Sequence, residues 1–410
     1  ALNKRDTRFH DAYWLDITSG DITLAAQNPG TIKQWVADLM LNVRAAVATH
    51  ENGRFDLLVK QEVDKWQTLL TWQAEDTLTS APIGFNDESN QLYLYDSRQS
   101  NTTQLVQIDI TTGDMKIVAS DPQYDVSGVL LNPDTGRLEA FAILRDRLTW
   151  QVLSPEIATD FAYLAKLARG DFRVVSRDAA DNLWLVGYSS DNAPISYYAY
   201  NRFQKSATFL FYHQPILTQY IMAKMVPITF KARDGLQLHG YITFPPHQER
   251  QHLPLVLNVH GGPWSRNQWG FDPEVQWLCN RGYICLQINY RGSTGYGKGF
   301  LNAGNREWGG AMQNDLLDAV QWAIDEGYAD PEHIGIYGGS YGGYAALIGV
   351  AFTPDIFCCA IDVVGPINLV TLLKSLPDYW ESVRHVFYQR IGHPETESEF
   401  LYARSPLSRV

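Results

Sequence analysis

The hydrophobic pattern of this chain changes character once, near Met225. Before that point apolar and polar residues alternate in short runs such as "RAAVATHE", "QLYLYDS", "GRLEAFAIL" and "NLWLVGYSS", with polar turns between them. A period of two predicts half-buried β-strands. Beyond it, continuous apolar runs appear, "PLVLNVH" (Pro254 to His260) and "YICLQINY" (Tyr283 to Tyr290), and these alternate with segments of helical period. Such runs suit strands buried on both faces, as in a parallel sheet covered by helices.

The first half repeats itself. "LDITSGDITLAA" (Leu15 to Ala26) returns as "IDITTGDMKIVAS" (Ile108 to Ser120), and Asp64 and Asn201 fall at corresponding turns. The period is about 46 residues, close to that of propeller repeats. Gly20 and Gly113 supply the positive φ that a tight corner needs. We therefore expect a partial β-propeller of about four to five blades over residues 1–222, rather than the hairpins of a sandwich. The chain opens partway into a blade, so its N-terminus reads as a cut.

The second half, residues 223–410, opens with a hairpin whose corner is "RDG" (Arg233 to Gly235). In "DPEVQWLCNRG", Asp272 is a helix N-cap, Pro273 the first helical residue and Gly282 the stop. In "AMQNDLLDAVQWAIDEG", Met312, Leu316, Val320, Ala323 and Ile324 share one helical face. "HIGIYG" and "CCAIDVVG" complete the strands. Strand–helix alternation predicts a mostly parallel sheet with helices on both faces.

Composition narrows the function classes. A net charge of −12, with no basic run, argues against nucleic-acid binding. No apolar stretch reaches the length of about 18 residues that a membrane span needs. The four cysteines (Cys279, Cys285, Cys358, Cys359) form neither a disulfide framework nor a metal-ligand pattern. Cys358 and Cys359 sit in an apolar run and are expected to be buried. A reducing, cytoplasmic setting fits this usage. Neither a metal nor a cofactor is expected.

The candidate chemistry lies in "GIYGGSYGGYAALIGV" (Gly335 to Val350), where Ser340 stands among Gly338, Gly339, Gly342 and Gly343. A buried strand ends and a helix begins at this serine, the context of a nucleophile elbow. Glycines on both sides let strand and helix approach closely, and a strained corner presents the hydroxyl to solvent. The helix start also offers the free N–H of Tyr341 to a developing oxyanion. "NVHGGPW" follows another strand, and its Gly262 N–H is the expected second donor. His260 is expected to shape this loop rather than act as base, since it precedes the serine.

The residues "GGSYGGY", "HGGPW", "NYRGSTGYG" (Asn289 to Gly297) and "WGGAMQNDLLDAV" (Trp308 to Val320) resemble the prolyl oligopeptidase family of serine peptidases, in its acylaminoacyl-peptidase and dipeptidyl-peptidase-like branch. The resemblance implies a propeller joined to an α/β-hydrolase domain, the propeller limiting access to short peptides. It implies Ser340 as nucleophile, with Gly262 and Tyr341 at the oxyanion hole. Arg291 is expected in a structural salt bridge rather than on substrate. Trp264, Trp269 and Trp380 are open between pocket and core.

A serine nucleophile needs a base and an orienting acid. After Ser340, the histidines are His385, in a predicted helix, and His393, in the "GHPETE" turn, and neither has the expected strand context. We expect the triad Asp and His to lie outside this chain, the hydrolase sheet to be incomplete at its C-terminus, and residues 1–410 to be inactive alone. Three functional readings stay open. The first is a peptidase acting on short or N-acylated peptides. The others are an esterase or amidase on the same fold, and a catalytically dead scaffold. Short peptides are the expected partners, and homo-oligomer formation is left open.

Overall fold

The computed structural model describes residues 1–62 and 65–410. The expected turn at Asp64 lies outside the described residues, but the strands beside it, Phe55–Glu62 and Lys65–Trp72, pair antiparallel. The chain divides into two compact units, each assembled from separate stretches. The first comprises residues 1–138, 295–306 and 369–402, and the second 139–294, 307–368 and 403–410.

In the first unit, antiparallel meanders follow one another along the chain. A three-stranded sheet (Leu2–Asp6, Phe9–Leu15, Ile22–Ala26) precedes two four-stranded ones. These are Ile32–Ala37, Val43–Thr49, Phe55–Glu62 and Lys65–Trp72, then Ala81–Phe85, Gln91–Asp96, Gln104–Asp109 and Met115–Ala119. Their facing sides share one core that includes Val47, Phe55, Leu57, Trp72, Phe85, Leu92 and Ile108. The Trp72 indole N–H donates to Asp96 at 3.0 Å, so the one polar atom of that buried ring is satisfied.

The sequence repeat is a repeat of turn chemistry. At Asp16 the carboxylate accepts from the Thr18 and Ser19 N–H groups, and its carbonyl accepts from Gly20 N–H. At Asp109 the carboxylate accepts from Thr111 and Thr112, and the carbonyl from Gly113. Both glycines have φ near +80°, 80° at Gly20 and 78° at Gly113. The Asp side chain holds the first half of the corner and the glycine supplies the second. Asn201 plays the side-chain part at its own turn, accepting from Gln204 N–H.

The second unit holds a further four-stranded meander, Asp171–Arg177, Leu183–Ser190, Ala193–Asn201 and Ser206–Tyr212. Ahead of it lies a helix, Pro155–Leu167, which the strand repeat does not predict. Ser154 caps it by accepting from Glu156 N–H, and Pro155 opens it. Its Phe161 packs edge-on against Trp150, Phe172 and Trp184. Its fully buried Asp160 accepts from Tyr200 Oη at 2.7 Å and Arg202 Nε at 3.1 Å, and pairs with Lys205.

The same unit carries a six-stranded sheet, ordered Met225–Lys231, Gln237–Thr243, Ile284–Asn289, Leu253–Val259, Ala329–Gly339 and Cys359–Val363. The first three strands are joined antiparallel and the last four parallel. Every residue of Ile284–Asn289 is buried, as its unbroken apolar run requires. The helices Pro273–Asn280, Ala311–Asp325 and Tyr341–Phe352 fall where the caps and periodicity place them. One expectation is corrected: Cys358 and Cys359 are exposed, whereas Cys279 and Cys285 are buried. The reason is position, since among the described residues Cys359–Val363 pairs with Ala329–Gly339 alone.

Candidate active site

Two parallel neighbours in the sheet, Leu253–Val259 and Ala329–Gly339, end side by side, with Val259 opposite Gly338. Their C-terminal loops are therefore brought together, as expected at the carboxyl edge of a parallel sheet. One loop is His260-Gly261-Gly262-Pro263, and the other is the turn at Ser340.

Ser340 is exposed and holds φ 57° and ψ −119°, a conformation that residues with a Cβ rarely adopt. Its N–H donates to Val363 O at 2.9 Å, which pins the corner to the edge strand. Among the described residues its hydroxyl makes no hydrogen bond. Tyr341 begins the helix directly after it, so the Tyr341 N–H belongs to the unpaired first turn. The glycines answer to space rather than to flexibility. A Cβ on Gly338 would lie 2.4 Å from the Gly342 carbonyl carbon, and one on Gly342 would lie 2.0 Å from Val259 O. Strand, elbow and helix are in backbone contact, and no side chain fits between them.

The glycine loop runs against the elbow. A Cβ on Gly261 would sit 3.1 Å from Gly339 O and 3.5 Å from the Ser340 Cβ. Ser340, Tyr341 and the Gly261-Gly262 loop are thus brought to one place. His260 faces away from this corner. Its Nδ1 lies 2.8 Å from Gly261 O and its Nε2 3.0 Å from Ser293 Oγ. Burial pushes its pKa down to about 4, partly opposed by the Gly261 carbonyl and assisted by the Arg266 charge. The imidazole stacks on Tyr290 at 4.4 Å, and Tyr290 stacks on Tyr341 at 5.2 Å, so one aromatic column ties the glycine loop to the elbow residue.

Arg291 forms a structural ion pair. Its guanidinium donates from Nε (2.9 Å) and Nη2 (2.7 Å) to the fully buried Asp315, and a third contact reaches Asp234 at 2.8 Å. The two carboxylates hold it well above the usual guanidinium range. Trp269 is covered by Arg147 at 3.6 Å, and Trp380 stacks on Phe387 at 5.3 Å. His393 anchors its own turn, its Nδ1 accepting from Glu395 and Thr396 N–H. His385 has a buried Nε2 with no hydrogen-bond partner among the described residues, and burial lowers its pKa. Among the described residues no cluster of His, Cys, Asp or Glu could hold a metal ion, and no helix is long and apolar enough to cross a membrane.

Residues 269–410, which contain the elbow, match the model of the Prolyl oligopeptidase family. Over the whole chain, 40% of 418 aligned positions are identical to dipeptidyl aminopeptidase BIII of Pseudoxanthomonas mexicana, covering 61% of that protein. Residues 269–410 of the chain belong to the prolyl oligopeptidase family. A second relative, dipeptidyl peptidase family member 6 of Caenorhabditis elegans, is 31% identical over 99% of this chain and 59% of its own length. The chain thus spans about three fifths of these curated relatives. Among solved structures, a puromycin-hydrolyzing peptidase of Mycobacterium tuberculosis superposes over 96% of this chain with a TM-score of 0.75 at 21% identity. That likeness is one of fold, a β-propeller with an α/β-hydrolase domain, which is the architecture expected from the sequence.

The sequence places Tyr290 and Ser293 inside a motif but gives them no role. The signal was positional. Tyr290 follows the strand Ile284–Asn289 as His260 follows Leu253–Val259, and parallel pairing of those strands sets the two loops together.

Proposed function

We propose that the chain carries the nucleophile and oxyanion hole of a serine peptidase that cleaves short peptides. Ser340 Oγ attacks the scissile carbonyl, and its proton passes to a base. The Tyr341 and Gly262 N–H groups stabilise the oxyanion, and the amine leaves to give an acyl-enzyme that water hydrolyses. The observation that carries this reading is the exposed Ser340 at φ 57°, standing at a helix N-terminus against the glycine loop. Among the described residues the Ser340 hydroxyl has no hydrogen-bonded histidine, so the reading assigns the base to no residue of 1–410.

The whole-chain relatives named for dipeptidyl peptidase activity favour dipeptide release over removal of an N-acylated residue. Acylamino-acid-releasing enzymes match a shorter stretch, as in the human one, 30% identical over 33% of this chain. The blades act in this proposal as a size filter that spares folded proteins. The test uses the full gene product with dipeptidyl p-nitroanilides, acylaminoacyl p-nitroanilides and p-nitrophenyl esters, alongside a fluorophosphonate probe. Labelling and dipeptidyl turnover that both vanish in Ser340→Ala are expected. Cleavage of esters alone would defeat the peptidase reading, and labelling retained by Ser340→Ala would defeat the assignment of the nucleophile.

A further inference from the structure

Residues 214–222, "QPILTQYIM", join the last meander to the six-stranded sheet and include a short 3₁₀ helix, Pro215–Gln219. The segment is mostly apolar, yet Ile216, Tyr220 and Ile221 are exposed. Across from them the helix Pro273–Asn280 exposes Trp277. Segment and helix together line a cavity of about 500 Å³, to which Phe271 also contributes. All of these residues belong to the second unit. Small-molecule sites run from about 300 to about 1,000 Å³, so the space is of ligand size.

The groove is preformed. Gln276 of the helix commits its whole amide to holding the two walls together. Its Oε1 accepts from Ala223 N–H at 2.8 Å, and its Nε2 donates to Ala223 O and Asp191 O, each at 2.8 Å. The charge along the groove has one sign. Arg281 lines it, with the guanidinium 5.1 Å from the centre of the Trp277 ring. Its Nη1 donates to Asn280 Oδ1 at 3.3 Å, and among the described residues no carboxylate pairs with it. No Asp or Glu is found among the described lining residues. An apolar trough that ends on one cation matches a ligand with an apolar body and one anionic group.

We propose that this groove is a second ligand site and takes a fatty acid. The alkyl chain lies against Ile216, Tyr220, Ile221 and Trp277, and the carboxylate pairs with Arg281. Neither wall includes Ser340 or the Gly261-Gly262 loop, so the proposal goes beyond the peptidase reading and stands without it. A cationic amphiphile of the same length would meet Arg281 with like charge, and a neutral one would leave it unpaired.

The experiment titrates the full gene product calorimetrically with decanoate below its micelle concentration, and with octanoate, decanol and decylammonium. One decanoate per chain is expected. Octanoate, shorter by two methylenes, should bind about tenfold more weakly. Decanol should also bind about tenfold more weakly, the worth of one charge-assisted hydrogen bond. Arg281→Gln should weaken decanoate by that same factor of about ten and leave decanol unchanged, while Arg281→Lys keeps most of the affinity. Trp277→Ala should weaken decanoate and decanol alike. Both side chains are exposed, so the variants keep the core intact. No binding of decanoate, equal binding of decylammonium, or unchanged affinity in both Arg281→Gln and Trp277→Ala overturns the proposal. Sedimentation reads the rival occupant, since a dimer that dissociates in Trp277→Ala would assign the groove to a second copy of the chain. A gene product without peptidase turnover would remove the peptidase reading and leave the titrations as they stand.

Discussion

A side chain on Gly342 would reach to 2.0 Å from the carbonyl oxygen of Val259, although these residues lie on different elements. The first turn of the helix after Ser340 therefore rests directly on the end of a neighbouring strand. Gly342→Ala forces backbone apart, at a cost above about 3 kcal/mol. Gly327→Ala is the control, since its φ is 75° but an added Cβ would meet none of the described residues within 4 Å, and strain alone costs about 1 kcal/mol. Urea midpoints of the two variants should separate them clearly. Equal losses would mean that the close approach is not a constraint.

Ser340 holds a backbone conformation in which a non-glycine residue costs about 1–3 kcal/mol. Ser340→Gly relieves that strain while giving back about 0.5–1 kcal/mol in unfolded-chain entropy. The variant should be more stable than wild type by about 1 kcal/mol and show no probe labelling. A variant less stable than wild type would show that the elbow is not strained.

Asp160 balances Arg202 and Lys205 from a fully buried position and accepts from the Tyr200 hydroxyl. Asp160→Ala leaves that hydroxyl and Lys205 without their partner, while Arg202 keeps its pairing with Asp181, at a cost of about 3 kcal/mol. The loss should appear as a lower urea midpoint and as faster proteolysis within residues 155–212. A change below about 0.5 kcal/mol, the level of a neutral surface substitution, would refute the role given to this helix.

His260 gives a pH dependence whose sign is set by its depressed pKa, about 4 against an ordinary 6.5. The unfolded chain binds a proton there at a higher pH than the folded one does, so folding stability rises with pH across this interval. The contribution is complete above about pH 6.5 and is lost as the pH falls toward about 4. Denaturation midpoints measured from pH 7.5 to pH 4.5 should fall more steeply for wild type than for His260→Asn. Parallel curves would place the titration elsewhere.

Much of this fold was legible because its signals are local. The Asp16 and Asp109 turns are built from residues within five positions of one another, so identical words in the sequence become identical corners. The elbow was legible for the same reason, strand, glycines and helix start being contiguous. The helix Pro155–Leu167 was missed although Ser154-Pro155 announces it, because the 46-residue strand repeat carries no helix. The exposure of Cys358 and Cys359 could not be read because an apolar run does not say which strand has a neighbour. The pairing of His260 with Ser293 was hidden by a separation of 33 positions and by the order of strands in the sheet.

That order also has a consequence for synthesis. The strand Leu253–Val259 lies between Ile284–Asn289 and Ala329–Gly339, both of which are made after it. A ribosome that has passed residue 260 has produced an apolar ribbon with two bare edges, and the second edge stays bare until residues 329–339 emerge. During that interval the nascent chain is at its most adhesive. Chaperone capture or aggregation of stalled products is therefore expected to be worst for chains that end between residues 290 and 329.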